Sequence, residues 1–217
     1  PMLAVALTWP FGEQAATYWD AEKFPLDLLG DLRACFARAP GSYLSRSQGL
    51  RGADAQRRLT VVLRGTELER WYRDKSYSPL PLEEAVEVCV DALLIFRRAG
   101  IPVVRLGLQS SPELAEAFIA GPYHPAFRQL AESAIALRMM ELAWSPAEAP
   151  DMPFVVHPRY LSTALGQKKG NLFRFKMRYN HAPRLAVDDT VPYEAVRRGN
   201  LLVTPAHLQP SVFGLST

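Results

Sequence analysis

The chain has 217 residues, 48% hydrophobic and 22% charged, with 25 Lys+Arg against 22 Asp+Glu and a net charge of +3. That composition fits a folded protein of one large domain or two small ones, and it excludes a disordered chain. No apolar run approaches the roughly 18 residues of a membrane span, and no basic segment precedes the apolar Leu3–Leu7, so neither a membrane partner nor a signal peptide is expected. The first residue is Pro1, which reads as a processed chain or a piece of a longer one.

Leu3 to Trp9 reads as a buried strand, ended by Pro10-Phe11-Gly12. Pro25 opens a helix with an apolar stripe at Leu29, Leu32 and Phe36, closed by Pro40-Gly41. Ser42 to Arg58 is polar and aperiodic, and is expected to be a long loop. Leu59 to Leu63 predicts a second buried strand. Thr66 then caps a short helix through Tyr72. Leu82 to Ala99 predicts a helix with the stripe Leu82, Val86, Cys89, Leu93, Phe96. Glu83 and Glu84 in its first turn, Arg97 and Arg98 in its last, and Gly100 just after it suit the helix dipole and a C-terminal cap. Val103 to Leu108 reads as the next strand, and strand–helix–strand implies a parallel βαβ unit. Ser111 to Ile119 and Ala126 to Leu142 follow as helices. Ser145 to Pro153, SPAEAPDMP, is the one proline-rich linker.

Beyond the linker the pattern changes. Phe154-Val155-Val156 predicts a strand, Pro158 sits where a first helical turn accepts proline, and Arg159 to Leu165 continues as helix. Gly166 to Gly170 interrupts it with two lysines. Leu172 to Tyr179 is helical, Arg184 to Val187 returns to strand, and Leu201 to Val203 is a last short strand. From Met152 to Val187 there are seven Lys or Arg (Arg159, Lys168, Lys169, Arg174, Lys176, Arg178 and Arg184) and no Asp or Glu. The rest of the chain then holds 18 basic against 22 acidic residues, so the whole positive excess lies here. A cation-rich segment on an otherwise acidic protein points to a polyanion; the plain alternative is a solvated basic face with no ligand.

The strand, helix, Gly-bounded basic loop, helix, strand order resembles the core of KH-type RNA-binding modules, whose GXXG loop clamps a nucleic-acid backbone. Here the glycines are four apart, Gly166 and Gly170, so Lys169 stands where that pattern has its second glycine. The resemblance implies an RNA contact through Gly166, Gln167, Lys168, Lys169, Gly170 and Asn171, with Arg174 and Arg178 on the helix behind. It is not a P-loop, which needs a wider glycine spacing and a Lys-Ser/Thr end.

Three blocks in the first part carry a second resemblance: VVLRGTELERWYRDKSYSPLPLEEAVEVC (Val61 to Cys89), IPVVRLGLQ (Ile101 to Gln109) and GPYHPAFRQLAES (Gly121 to Ser133). In that order they resemble the C-terminal part of Elp3-like radical SAM proteins, in the bacterial branch without an acetyltransferase domain. The basic segment FVVHPRYLSTALGQKKGNLFRF is similar to the C-terminal module of that branch. The resemblance implies tRNA as the RNA. It also implies S-adenosylmethionine and a [4Fe–4S] cluster, but that chemistry needs three cysteines in a CxxxCxxC-type loop. Cys35 and Cys89 are the only two, far apart, and both read as core thiols on apolar helix faces. No cofactor is therefore expected in this chain, and those two only if an N-terminal half is missing.

His124, His157, His181 and His207 have no ligand spacing, so no metal site is expected, and no GxSxG elbow or paired carboxylates mark a catalytic residue. Arg105 in a predicted strand could face a barrel mouth or be a paired structural arginine. The expected fold is mixed α/β: a partial βα barrel-like domain over 1–144, then a small KH-like βααβ module over 153–205. Three functions remain open: a non-catalytic, cytoplasmic RNA-binding protein; a fragment or remnant of a radical SAM RNA-modifying enzyme; or an interaction domain with no nucleic-acid role.

Overall fold

The structure is a computed structural model. It describes residues 60–100, 102–103 and 105–211, and the backbone of 43–45 and 56–58. The expected Leu3–Trp9 strand, the helix after Pro25, and Cys35 lie outside the described residues. The fold is mixed α/β, as the patterning predicts, in two compact units that meet in sequence between Arg128 and Gln129.

In the first unit, β1 (Tyr43–Ser45) pairs antiparallel with β2 (Gln56–Arg58). The expected loop over 42–58 thus contains a strand pair. Three-residue strands need only backbone pairing and leave no periodicity to read. β3 (Val62–Leu63) is followed by α1 (Glu67–Arg73). Thr66 caps α1 as expected: its Oγ1 accepts from the Glu69 N–H (3.3 Å) and donates to Leu63 O (2.7 Å), while Glu69 accepts in turn from the Gly65 N–H (2.6 Å). That backbone donor, then the Arg73 side chain, hold the Glu69 carboxyl below its ordinary value.

α2 (Leu82–Arg98) carries acidic residues in its first turn and basic ones in its last, and Gly100 follows at φ 67°. The expected stripe is present, yet burial extends around the helix from Cys89 to Phe96, because Val90-Asp91-Ala92-Leu93-Leu94-Ile95 is apolar on nearly every side. Cys89 is a buried free thiol.

The parallel βαβ unit is replaced by a different pairing. β3 joins β4 (Phe118–Ala120) antiparallel, with Val62 opposite Ala120 and Leu63 opposite Phe118, and the described residues of 103–108 form no strand. α3 (Pro112–Ala117), capped by Ser111, therefore ends before Phe118. The apolar run Phe118-Ile119-Ala120 satisfied helix and strand templates alike, and only a partner distant in sequence decides between them. Gly107 at φ 88° sits so close to Phe127 that an added Cβ would lie 2.8 Å from the Phe127 Cβ.

α4 (Phe127–Leu142) starts at the end of the first unit, and from Gln129 it belongs to the second. The second unit holds a four-stranded sheet in the order β6-β5-β7-β8. β5 (Phe154–Val156) runs parallel to β6 (Leu185–Val187), with Phe154 opposite Leu185. Parallel neighbours need a crossover, supplied by a 3₁₀ turn (Pro158–Tyr160), α5 (Leu161–Leu165) and α6 (Gly170–Tyr179). The strand–helix–loop–helix–strand order read from the sequence is therefore present.

β7 (Val196–Arg198) and β8 (Leu201–Val203) extend the sheet as an antiparallel pair with Arg198 opposite Leu201. β7 was not expected; its signal is the two-residue turn Gly199-Asn200, a hairpin dipeptide, with Gly199 at φ 55°. Val196 and Arg198 face inward from β7. Arg198 is fully buried: its guanidinium lies 4.4 Å from the Trp144 ring centroid, donates to the Glu148 carboxylate at 2.6 Å and reaches Ala149 O at 3.2 Å. The proline-rich segment 145–153 is thereby clamped to the sheet. Phe154, Phe175 and Trp144 form the aromatic centre of this unit, with centroids 5.4 to 6.4 Å apart.

Candidate nucleic-acid interface

The basic loop takes its shape from three residues. Gly166 ends α5 at φ 72°, ψ 170°, and an added Cβ would lie 2.8 Å from Ser133 Oγ and 3.1 Å from Asn171 Cγ. Asn171, one residue into α6, is buried. Its amide nitrogen is shared among Ser133 O (2.8 Å), Ser133 Oγ (3.0 Å) and Ala164 O (3.0 Å). This clip ties α4, the end of α5 and the start of α6 together. The side chain of Asn171 is thus committed inside the unit and not available to a ligand, which separates it from the other loop residues named in the sequence reading.

Between Gly166 and Gly170 the chain makes one tight turn, Gln167–Lys169. Lys168 (φ 51°, ψ 31°) and Lys169 (φ 60°, ψ 28°) are both left-handed. For a residue with a Cβ this conformation costs roughly 1–2 kcal/mol. Gly170, by contrast, is right-handed helical, with nothing within 4 Å of an added Cβ. The positions that would profit from glycine are therefore lysines, and the second glycine stands where none is needed.

Lys168 and Lys169 are exposed, and no ion pair involves either among the described residues. They sit at the N-terminus of α6, whose N-cap makes no side-chain hydrogen bond. The positive end of the helix dipole thus coincides with two ammonium groups, while the Lys169 and Gly170 N–H groups donate to Gly166 O and Gln167 O within the turn. Arg174 is exposed one turn on. Arg178, on the same helix face, is paired with Glu141 at 3.0 Å and lies beside the Tyr179 ring. Burial, then the Glu141 carboxylate, push the Tyr179 phenol above its ordinary value. Gln167 is half-buried. The loop and the first turns of α6 therefore carry Lys168, Lys169 and Arg174 as cations without an ion pair among the described residues, with Arg178 partly neutralised and Asn171 withdrawn.

Phe175, on the apolar side of α6, is fully buried. Phe173, one of the aromatic residues interleaved with the basic ones and so a base-stacking candidate from the sequence, stands 66% exposed on α6, and Met177, which the sequence does not single out, stands 70% exposed. Their four-residue spacing, out of phase with Phe175, was the available signal.

The other candidates are structural. His124 Nδ1 accepts from the Ala126 N–H at 3.0 Å, His157 Nδ1 accepts from the Arg159 N–H at 3.1 Å, and Arg105 donates to Gln109 Oε1 at 2.7 Å. Among the described residues no group of three or more His, Cys, Asp or Glu is placed to hold a metal ion. No described helix is long and apolar enough to cross a membrane.

Residues 59–137 match the family model of the Radical_SAM C-terminal domain. The match spans all three blocks that carried the radical SAM resemblance, and it relates this part of the chain to that domain. It stops before the basic module. Comparison with curated proteins and with solved structures gave no match. The residues present do not fit the cluster that radical SAM chemistry uses. The chain has two cysteines where three thiolates are needed, and Cys89 is enclosed within α2.

Proposed function

We propose that this protein binds RNA through the 166–170 loop and the N-terminus of α6, with tRNA the partner that its Elp3-like resemblance implies, in a reducing, cytoplasmic setting. The observation that carries the reading is the pair Lys168-Lys169. Two exposed lysines hold a left-handed conformation that glycine would adopt at lower cost, at a helix N-terminus without a side-chain cap. The absence of any Asp or Glu from Met152 to Val187 keeps the local potential positive. Backbone N–H groups and ammonium groups are the donors that phosphate oxygens accept from, so the contact reads the backbone and not the bases.

The test is RNA binding by fluorescence anisotropy across a salt series. Lys168→Ala combined with Lys169→Ala keeps a Cβ at both positions and so keeps the fold. It is expected to weaken binding about equally for RNAs of different sequence. It should also lower the slope of log K against log salt by roughly 1 to 1.5, at about 0.7 per phosphate on single strands. Wild-type affinity and slope in the folded double variant would return the segment to a solvated basic face.

The family match favours a second reading, a radical SAM-derived protein, for which action on RNA is what the Elp3-like resemblance implies. Iron and sulfide analysis separates the two. The RNA-binding reading expects neither in stoichiometric amount, and a brown preparation whose absorbance near 400 nm depends on Cys35 or Cys89 would favour the second.

A further inference from the structure

The loop accounts for phosphate contacts but leaves the outer face of α6 unexplained. Phe173 and Met177 lie one turn apart with most of their surface in solvent, although Phe175 on the same helix is completely buried. Lys169 and Lys176 flank Phe173 at one-turn spacing, with Arg174 next to it; all three are exposed, and none of them makes an ion pair among the described residues. An apolar patch for a protein partner normally excludes such charge from its centre. An aromatic ring among unpaired cations is instead the arrangement that takes a base on its π-face and the adjoining phosphates on its rim.

We infer that Phe173 is a stacking platform for an unpaired base of single-stranded RNA, with Met177 extending its apolar surface and Lys169, Arg174 and Lys176 holding the flanking phosphates. The inference rests on the RNA-binding reading and adds to it the strandedness of the ligand: a paired base cannot present its face to Phe173. It requires no sequence preference, because every base has a π-face.

The test compares three probes, an unstructured oligouridylate, an RNA duplex and inorganic polyphosphate, on the wild-type protein and on Phe173→Leu. Leucine keeps an apolar helix-forming residue at an exposed position, so the fold is retained. The expected result is at least about fivefold weaker oligouridylate binding, the low end of what one aromatic–base stack supplies, with duplex and polyphosphate binding and the salt slope unchanged. In Phe173→Trp, oligouridylate should quench the added indole emission and polyphosphate should not. Unchanged oligouridylate affinity in Phe173→Leu, beside intact binding of all three probes, overturns the stacking role and leaves the loop reading standing. Equal weakening for all three probes overturns it too, as does a dimer of the wild-type protein that Phe173→Leu dissociates. Failure of the wild-type protein to bind any probe removes the loop reading and this inference with it.

Discussion

The segment that a family model matches, 59–137, differs in build from the basic module beyond it, which lies outside the match and carries a four-stranded sheet. Residues 59–137 match the radical SAM C-terminal domain, yet their described strands, β3 and β4, pair only with each other. The second unit is fixed by nonlocal polar clamps: Arg198 on Glu148, Ala149 and Trp144, and Asn171 on Ser133 and Ala164. The difference teaches that the stretch with a family match and the stretch that presents a candidate site are not the same. The described part of the first unit centres on apolar burial along α2, whereas the second adds polar clamps to an apolar and aromatic core of its own.

If so, single polar substitutions should act more strongly in the second unit than anything comparable in the first. The largest effect is expected from Arg198→Leu. It removes a fully buried guanidinium with its ring contact and hydrogen bonds, and should cost about 3 kcal/mol. Hydrogen exchange should show the protection loss within 129–211, and equal loss over 60–128 would break the comparison. Next comes Asn171→Ala, which removes the buried amide that donates to Ser133 O and Ala164 O and should cost about 2 kcal/mol. It should also broaden the amide resonances of Lys168 and Lys169; sharp, unshifted resonances would mean that the clip does not set the loop.

In the first unit, Cys89 should react slowly with an aromatic disulfide reagent under native conditions. A Cys35→Ser background isolates the signal, and rapid reaction would contradict the closed packing around α2. The smallest effect concerns Asp188. Thr190, through its hydroxyl and its N–H, and then the Arg197 guanidinium lower its carboxyl from 3.8 to about 2. A depressed carboxyl contributes stability above its unfolded value and loses it as pH falls through the folded one. Asp188→Asn should therefore flatten the stability profile between about pH 4 and pH 2 and leave the profile above that window unchanged in shape.

Much of this architecture was legible. The α1 cap at Thr66, the charge pattern of α2, the β5–α5–α6–β6 order and the buried Phe175 each follow from neighbours within one helical turn or one strand. What was not legible depends on partners far along the chain. β4 needs β3, 55 residues earlier by the Leu63–Phe118 pairing, and Arg198 needs Glu148. At the loop, the sequence shows where the basic turn lies, between the two glycines, but not the conformation of its residues. Asn171 reads as a contact with the rest of the loop, whereas the left-handed positions are the lysines and Asn171 is the clip. A side chain's exposure and a residue's handedness are set by tertiary contacts, which composition does not encode.

The central claim is that two lysines occupy glycine-like positions because a ligand uses them. Lys168→Gly combined with Lys169→Gly tests it in one protein. Relief of the left-handed cost, less the entropy penalty of glycine, should stabilise the fold by about 0.5 kcal/mol per site. The account predicts a higher melting temperature together with weaker tRNA binding and a salt slope reduced by roughly 1 to 1.5. A higher melting temperature with unchanged tRNA affinity would contradict it.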